Sequence, residues 1–347
     1  MSDLIKITQC DVEDAHANTD QEVIYGKLIS EARCQRDPET GNTLRPWKFE
    51  VVQGFFKQSD ESTDELSFDL INDNFGLALS SWSALKVKLH ELNLNARPNE
   101  SYKLLICARH GQGYHNEAVS IFGIEDWNNH WSHCTGTTLP DGREIVWGPD
   151  PMLTPLGERQ ADELNKAWRK QIEHGAPIPT KYFSSPFTRS CMTLVRTWRG
   201  ISICEENEDQ SKLLSSERHF PIVTENLRET IGSHLCDKRS PKRIIAQRFS
   251  RYGFTFENGF QEEDIYYRDD WRESLSEQSL RADAFLQDVF ENYPDDIYIS
   301  STSHAGEIRA IITALGHRKF AIPTAGTLPI VVKGTRIQED SGFESRE

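Results

Sequence analysis

Two histidines, two arginines and a glutamate stand out because they sit in four short turns of similar make. ARHGQGYHN (108–116) carries Arg109 and His110, and SSPFTRS (184–190) carries Arg189. NLRET (226–230) carries Glu229, and SHAGE (303–307) carries His304. Together these side chains could run a phosphoryl transfer. A neutral imidazole attacks phosphorus when the phosphoryl oxygens are held in line and their charge is compensated. Two guanidinium groups supply planar, bidentate donors for that purpose. A second histidine can donate to the transferring group, and a carboxylic acid can protonate the leaving oxygen and later activate water. The cations are side chains, so this chemistry calls for neither a metal nor a cofactor.

Side chains this far apart converge only if the fold gathers their turns. YKLLICA, within 102–108, is an apolar run of strand length, as in a buried parallel strand. TKYFSS, PIVTENLRE and DDIYISSTS read as further strands and TLPIVVKG as a last one, while WKFEVVQGFF opens the folded part. Helical spacing marks SSWSALKVKLHELN and LRADAFLQDVFENY. LTPLGERQADELNKAWRKQIEHG (153–175) is predicted to be a helix with Thr154 as N-cap, Pro155 in its first turn and Gly175 as terminator. Strands alternating with helices predict a mostly parallel α/β sheet. Such sheets bind ligands outside the carboxyl ends of their strands, where all four turns would lie.

The segments resemble the histidine phosphatase superfamily, also called phosphoglycerate mutase-like. RHGQGYHN matches its Arg-His-Gly start, DPMLTPLGERQA (150–161) its second signature, and SSPFTRS, NLRE and SHAGE follow in its order. The resemblance covers about 100–335 and is nearer still to the fungal phosphomutase-like branch, through FEVVQGFFKQSD and INDNFGLA. ETIGSHLCDKRS (229–240) is similar to a segment of plant phosphoglycerate mutase-like proteins. It implies a three-layer α/β/α sandwich with an N-terminal extension and a helical or loop insert. By position it makes His110 the phosphorylated nucleophile and Glu229 the proton donor, with Arg109, Arg189 and His304 completing the pocket. Gly111, Gln112, Asn116 and Ala305 would contact phosphate, Gln112 standing where the family usually has Glu. Glu225, Asp237 and Asp264 are the alternative acids, and Asn116 could instead cap a turn. The implied activity is a metal-independent phosphomonoester phosphatase acting on a small phosphorylated metabolite, with an optimum at mildly acidic to neutral pH. The alternatives are a phosphomutase and an idle phosphate-binding scaffold.

The remaining expectations come from composition and local pattern. The 347 residues suit a variable extension over 1–45, read as loosely attached, and a domain over 46–340 with an insert at about 237–282. Arg228, Lys238 and Arg239 are candidates for recognising a distal anionic group, and His115 reads as a surface residue. Trp127, Trp131 and Trp147 read as core or pocket wall. His130, His133 and Cys134 are close in sequence but lack a fourth ligand at tetrahedral spacing, so no metal is expected. The seven cysteines, odd in number and irregularly spaced, read as free thiols. The net charge of −15 argues against nucleic acid and anionic membranes as partners. The acids concentrate in QSDESTDE, EENEDQ, FQEEDIYYRDD and NYPDD, leaving the predicted pocket locally cationic. The N-terminal residues lack the pattern of a signal peptide, which makes cytosol or nucleus the expected compartment.

Overall fold

The computed structural model describes residues 4–17 and 20–337. The strands are β1 (Trp47–Val51), β2 (Glu100–Arg109), β3 (Gly136–Thr138), β4 (Glu144–Val146), β5 (Lys181–Ser184), β6 (Ile222–Val223), β7 (Thr255–Phe256), β8 (Tyr298–Ser303) and β9 (Thr327–Arg336). The α-helices are α1 (Gln9–His16), α2 (Gln21–Arg33), α3 (Trp82–Leu94), α4 (Tyr114–Phe122), α5 (Ile124–Asn129), α6 (Pro155–Glu173), α7 (Thr188–Trp198), α8 (Lys242–Phe249), α9 (Leu275–Asn292) and α10 (Ala305–Leu315).

Seven strands form one sheet in the order β1-β9-β2-β8-β5-β6-β7. β2, β8, β5, β6 and β7 run parallel, while β9 is antiparallel to both β2 and β1. Helices α2, α9 and α10 pack together, as do α6 and α7, with α3 joined to α6 through Trp82 and Trp168. The sheet lies between these layers, as the α/β reading requires. Leu104 to Ala108 of β2 are buried, which explains their unbroken apolar run. Helix α6 begins as its sequence foretells, with Thr154 Oγ1 accepting from Gly157 N and Pro155 in the first turn.

Register aligns the chemistry. Arg109 pairs with Ser303, Thr302 with Ser184 and Ser184 with Val223, so four parallel strands end side by side. The next residues stay in step: His110 N donates to Ser303 O, Ser185 N to Thr302 O and Thr224 N to Ser184 O.

Three expectations need correction. The segment before residue 45 is docked rather than loosely attached, because Ile5, Ala15, Tyr25, Ile29 and Ala32 are buried. The stretch 237–282 is not a surface insert throughout. Its β7 extends the sheet beyond β6, and Phe249, Tyr252, Phe254 and Phe260 join the main core. The third predicted strand shrinks to Ile222–Val223, because Thr224 then caps a short turn through Asn226 N. The tryptophan group does form a small second core, with Trp127 and Trp147 buried and Trp131 packed against them. All seven cysteines are unpaired, and no helix of the described residues is long and apolar enough to cross a membrane.

Candidate active site

The carboxyl ends of β2 and β8 bring three imidazoles together. The His110 ring lies 5.0 Å from that of His304 and 5.3 Å from that of His115. His110 is 2% exposed and His304 is fully buried. The His110 Nδ1 lies 2.7 Å from the carbonyl oxygen of Gly111. A carbonyl only accepts, so Nδ1 carries the proton and Nε2 keeps its lone pair. The local turn thereby selects the nitrogen able to attack.

Two glycines hold that turn. A Cβ on Gly111 would lie 2.4 Å from Gly157 O, and one on Gly157 would lie 2.1 Å from Gln112 O. The start of α6 therefore presses directly on the backbone after His110. Around this contact two of the expected phosphate ligands also have partners within the protein. The Gly111 amide donates to Thr193 Oγ1 at 2.9 Å. The Gln112 side chain accepts from Thr154 Oγ1 at 2.7 Å and so joins the turn to the α6 cap. Asn116 caps α4 through its Oδ1, which accepts from Gly113 N at 2.9 Å. Ala305 is the first residue of α10, a helix whose first-turn amides favour an anion.

Arg189 is fully buried over the Phe187 ring. It donates to Cys236 O at 2.9 Å and Asp237 Oδ1 at 3.1 Å, and its buried Nε has no partner. Its positive charge, after burial itself, depresses the pKa of His110, His115 and His304. Arg109 adds to the effect on His110 and His115. All three imidazoles are thus held neutral near pH 7.

His304 Nε2 lies 2.7 Å from Ser185 Oγ, and its buried Nδ1 is 4.0 Å from Glu229 Oε2. Thr230 N donates to the other Glu229 oxygen at 2.9 Å. Glu229 therefore faces the site. The rival acids are occupied elsewhere: Asp237 by Arg189, Glu225 by Arg228 and Arg239, and Asp264 by Arg228.

Those ion pairs also occupy two of the three expected distal recognition residues, Arg228 and Arg239. Arg228 is 1% exposed between Glu225 and Asp264, and Arg239 is 2% exposed on Glu225 and a ring of backbone carbonyls. Both are structural clamps on the loop after Glu229. Lys238 is exposed beside the Tyr267 ring. His115, read as a surface residue, is half-buried with its Nδ1 enclosed and without a partner. Its position in the first turn after a strand end was the signal available for placing it here.

His234, Cys236 and Asp237 also gather within ligand distance of one another. Asp237 already faces Arg189 and lies 3.6 Å from Arg272. Two guanidiniums beside one carboxylate do not suit a divalent cation. The trio His130, His133 and Cys134 is not part of that group.

The depressed histidines link the site to stability. Below about pH 6.5 the unfolded chain takes up protons on His110 and His304 that the folded protein resists. Their contribution is complete above that pH and is lost as pH falls toward the folded pKa values, at up to about 1.4 kcal/mol per pH unit for each imidazole. Burial raises Glu307, Glu257 and Asp283, which act in the opposite direction. Comparison with His304→Gln isolates the histidine share. Between pH 7 and 5 the Tm of His304→Gln should fall less steeply than that of the wild type, and equal slopes would contradict this assignment.

No family model matches the chain. Curated relatives do, three fungal proteins among them. A probable phosphoglycerate mutase of Arthroderma benhamiae is 31% identical over 300 residues, which span 82% of this chain and 84% of that one. Phosphomutase-like protein 3 of Candida albicans is 34% identical over 286 residues, 82% of this chain and 80% of that one. A probable phosphoglycerate mutase of Saccharomyces cerevisiae is 31% identical over 297 residues, 81% of this chain and 91% of that one.

Proposed function

Because the chain belongs to the phosphoglycerate mutase-like family of histidine phosphatases, in its fungal phosphomutase-like branch, we propose that it is a metal-independent phosphomonoester phosphatase. The observation that carries the reading is the His110 tautomer. The Nδ1 proton is committed to Gly111 O, and Nε2 is left as a neutral nucleophile beside Arg189.

In the first step Nε2 attacks phosphorus, the bond to the ester oxygen breaks, and Glu229 delivers a proton to that oxygen. Arg189, Arg109 and His304 meet the charge on the phosphoryl oxygens. In the second step Glu229 takes a proton from water, whose oxygen attacks the phosphohistidine and releases phosphate with His110 restored. Ser185 holds the His304 ring, and Asp237 holds Arg189.

The mutase names of the relatives favour one second reading, a mutase, in which the phosphoryl group returns to another hydroxyl of the substrate. Incubation with 3-phosphoglycerate separates the two. Release of inorganic phosphate without the 2-phospho isomer supports the phosphatase, and isomer in excess of phosphate would replace it with the mutase. A panel of small phosphate esters, scored by the same release, would then narrow the substrate.

A further inference from the structure

The N-terminal segment reaches the site in a way the mechanism above does not use. Asp11 of α1 and Arg109 at the end of β2 are 98 positions apart, yet Arg109 Nη1 donates to Asp11 Oδ1 at 2.8 Å. The same nitrogen donates to Ile322 O at 2.7 Å. Both partners are mostly shielded, with side chains 13% and 17% exposed.

The Asp11 carboxylate is itself oriented. Its Oδ2 accepts from Thr8 N at 3.0 Å and from Thr8 Oγ1 at 2.6 Å, the reciprocal cap at the start of α1. One oxygen is therefore fixed by the helix cap and the other is offered to Arg109.

The surrounding contacts tie the segment to the loops that build the site. Asp14, one turn further along α1, accepts from Arg309 of α10. Gln160 of α6 donates to Leu4 O and Thr324 Oγ1, while its Oε1 accepts from Gln112 N in the His110 turn. Asp11, Arg109 and Ala305 line one small cavity of about 20 Å³, so the carboxylate sits beside the first residue of α10.

A guanidinium anchored through Nη1 keeps its Nε–Nη2 edge, the edge that grips an oxyanion with two parallel bonds. Arg109 Nε is buried and has no partner. The anchor at Nη1 therefore fixes the orientation of that free edge.

Building on the phosphatase reading, we propose that Asp11 is a positioning residue. The N-terminal segment is part of the phosphate pocket, and its carboxylate sets the orientation in which Arg109 receives the phosphoryl group. The extension adds a charged second anchor to that of the Ile322 carbonyl, which narrows the rotamers open to a long arginine at a strand end.

The test compares Asp11→Asn with Asp14→Asn, which loosens the same helix from Arg309 without touching Arg109. The readouts are the KM for p-nitrophenyl phosphate, the inhibition constant of orthovanadate, and Tm. For Asp11→Asn both constants should rise on the order of tenfold, inside the hundredfold that an ~1 Å misplacement can cost, with a smaller change in kcat. For Asp14→Asn both should stay within twofold of wild type even if Tm falls.

Unchanged constants in Asp11→Asn, or equal changes in both variants, would overturn the assignment. Tighter vanadate binding would also overturn it, by making Asp11 a competitor for the arginine. If Asp11→Asn does not fold, Thr8→Ala removes only the hydroxyl's bond to Asp11 Oδ2, keeping the one from Thr8 N, and should move both constants the same way by less. An active His110→Ala would overturn the underlying phosphatase reading. An inactive His110→Ala beside an unaffected Asp11→Asn would overturn the positioning role alone.

Discussion

His110→Ala should retain less than a few per cent of wild-type activity on p-nitrophenyl phosphate, a loss on the order of a thousandfold or more. The effect is large because several features serve this one ring. The Gly111 carbonyl fixes its tautomer, burial and then Arg189 keep it neutral, and the strand register places it beside His304. Alanine leaves the two arginines and Glu229 able to bind phosphate but with no atom to accept the phosphoryl group. Binding of orthovanadate should therefore weaken far less than turnover. In a rapid-quench experiment with a ³²P-labelled ester, wild type should yield an acid-labile, base-stable phosphoprotein and the variant none. Activity above a few per cent, or a label that survives acid, would rule out a histidine intermediate.

Gly306→Ala should damage activity with little harm to the fold. A Cβ at this position would lie 2.3 Å from Glu229 Oε1 and 3.0 Å from Thr230 Oγ1. Neither is backbone, so side chains can yield, and the one that must yield is the proposed proton donor. Alanine also favours an α-helix over glycine by up to about 1 kcal/mol, and Gly306 lies in the first turn of α10. The expected result is a kcat lower by about a hundredfold, the size of a displaced general acid, with Tm within a few degrees of wild type. The loss should be larger for alkyl than for nitrophenyl esters, because a poor leaving oxygen depends most on the proton. An unchanged kcat, or equal losses on both ester types, would count against Glu229 as the donor.

Local signals carried much of this site into the sequence. The β2 run ending in Arg109 and His110 is legible because a strand buried on both faces admits few polar residues. The α6 start is legible because capping chemistry acts within three or four residues. The order of the four turns implied a shared sheet edge, and the register places them there. Contacts whose partners are remote in the chain were not legible. Arg228 and Arg239 look the same in sequence whether they greet a ligand or close a buried ion pair, and only the position of Glu225 and Asp264 decides. The docking of α1 rests on partners remote in the chain, among them Arg109, 98 positions from Asp11, and Arg309, which bonds Asp14. The strand β7 is two residues long, too short to show a period. Motif position says nothing of the pressure of Gly157 on Gly111 or of the bond from Thr154 to Gln112, which depend on α6 packing against the turn.

The place of β9 has a consequence for how the chain is made. It lies between β1 and β2, yet it follows every other described strand in sequence. On the ribosome, β1 ends at residue 51 and β2 at residue 109, whereas the strand that joins them begins only at residue 327. Until then β1 has no partner, and one edge of β2 displays unpaired amides and carbonyls on an apolar strand, a template for intermolecular pairing. Arg109 waits as well, since Ile322 just upstream of β9 supplies one of its two anchors. Vectorial synthesis thus completes the sheet and the proposed phosphate pocket together, and a nascent chain stalled before residue 327 would lack both and be prone to capture by chaperones.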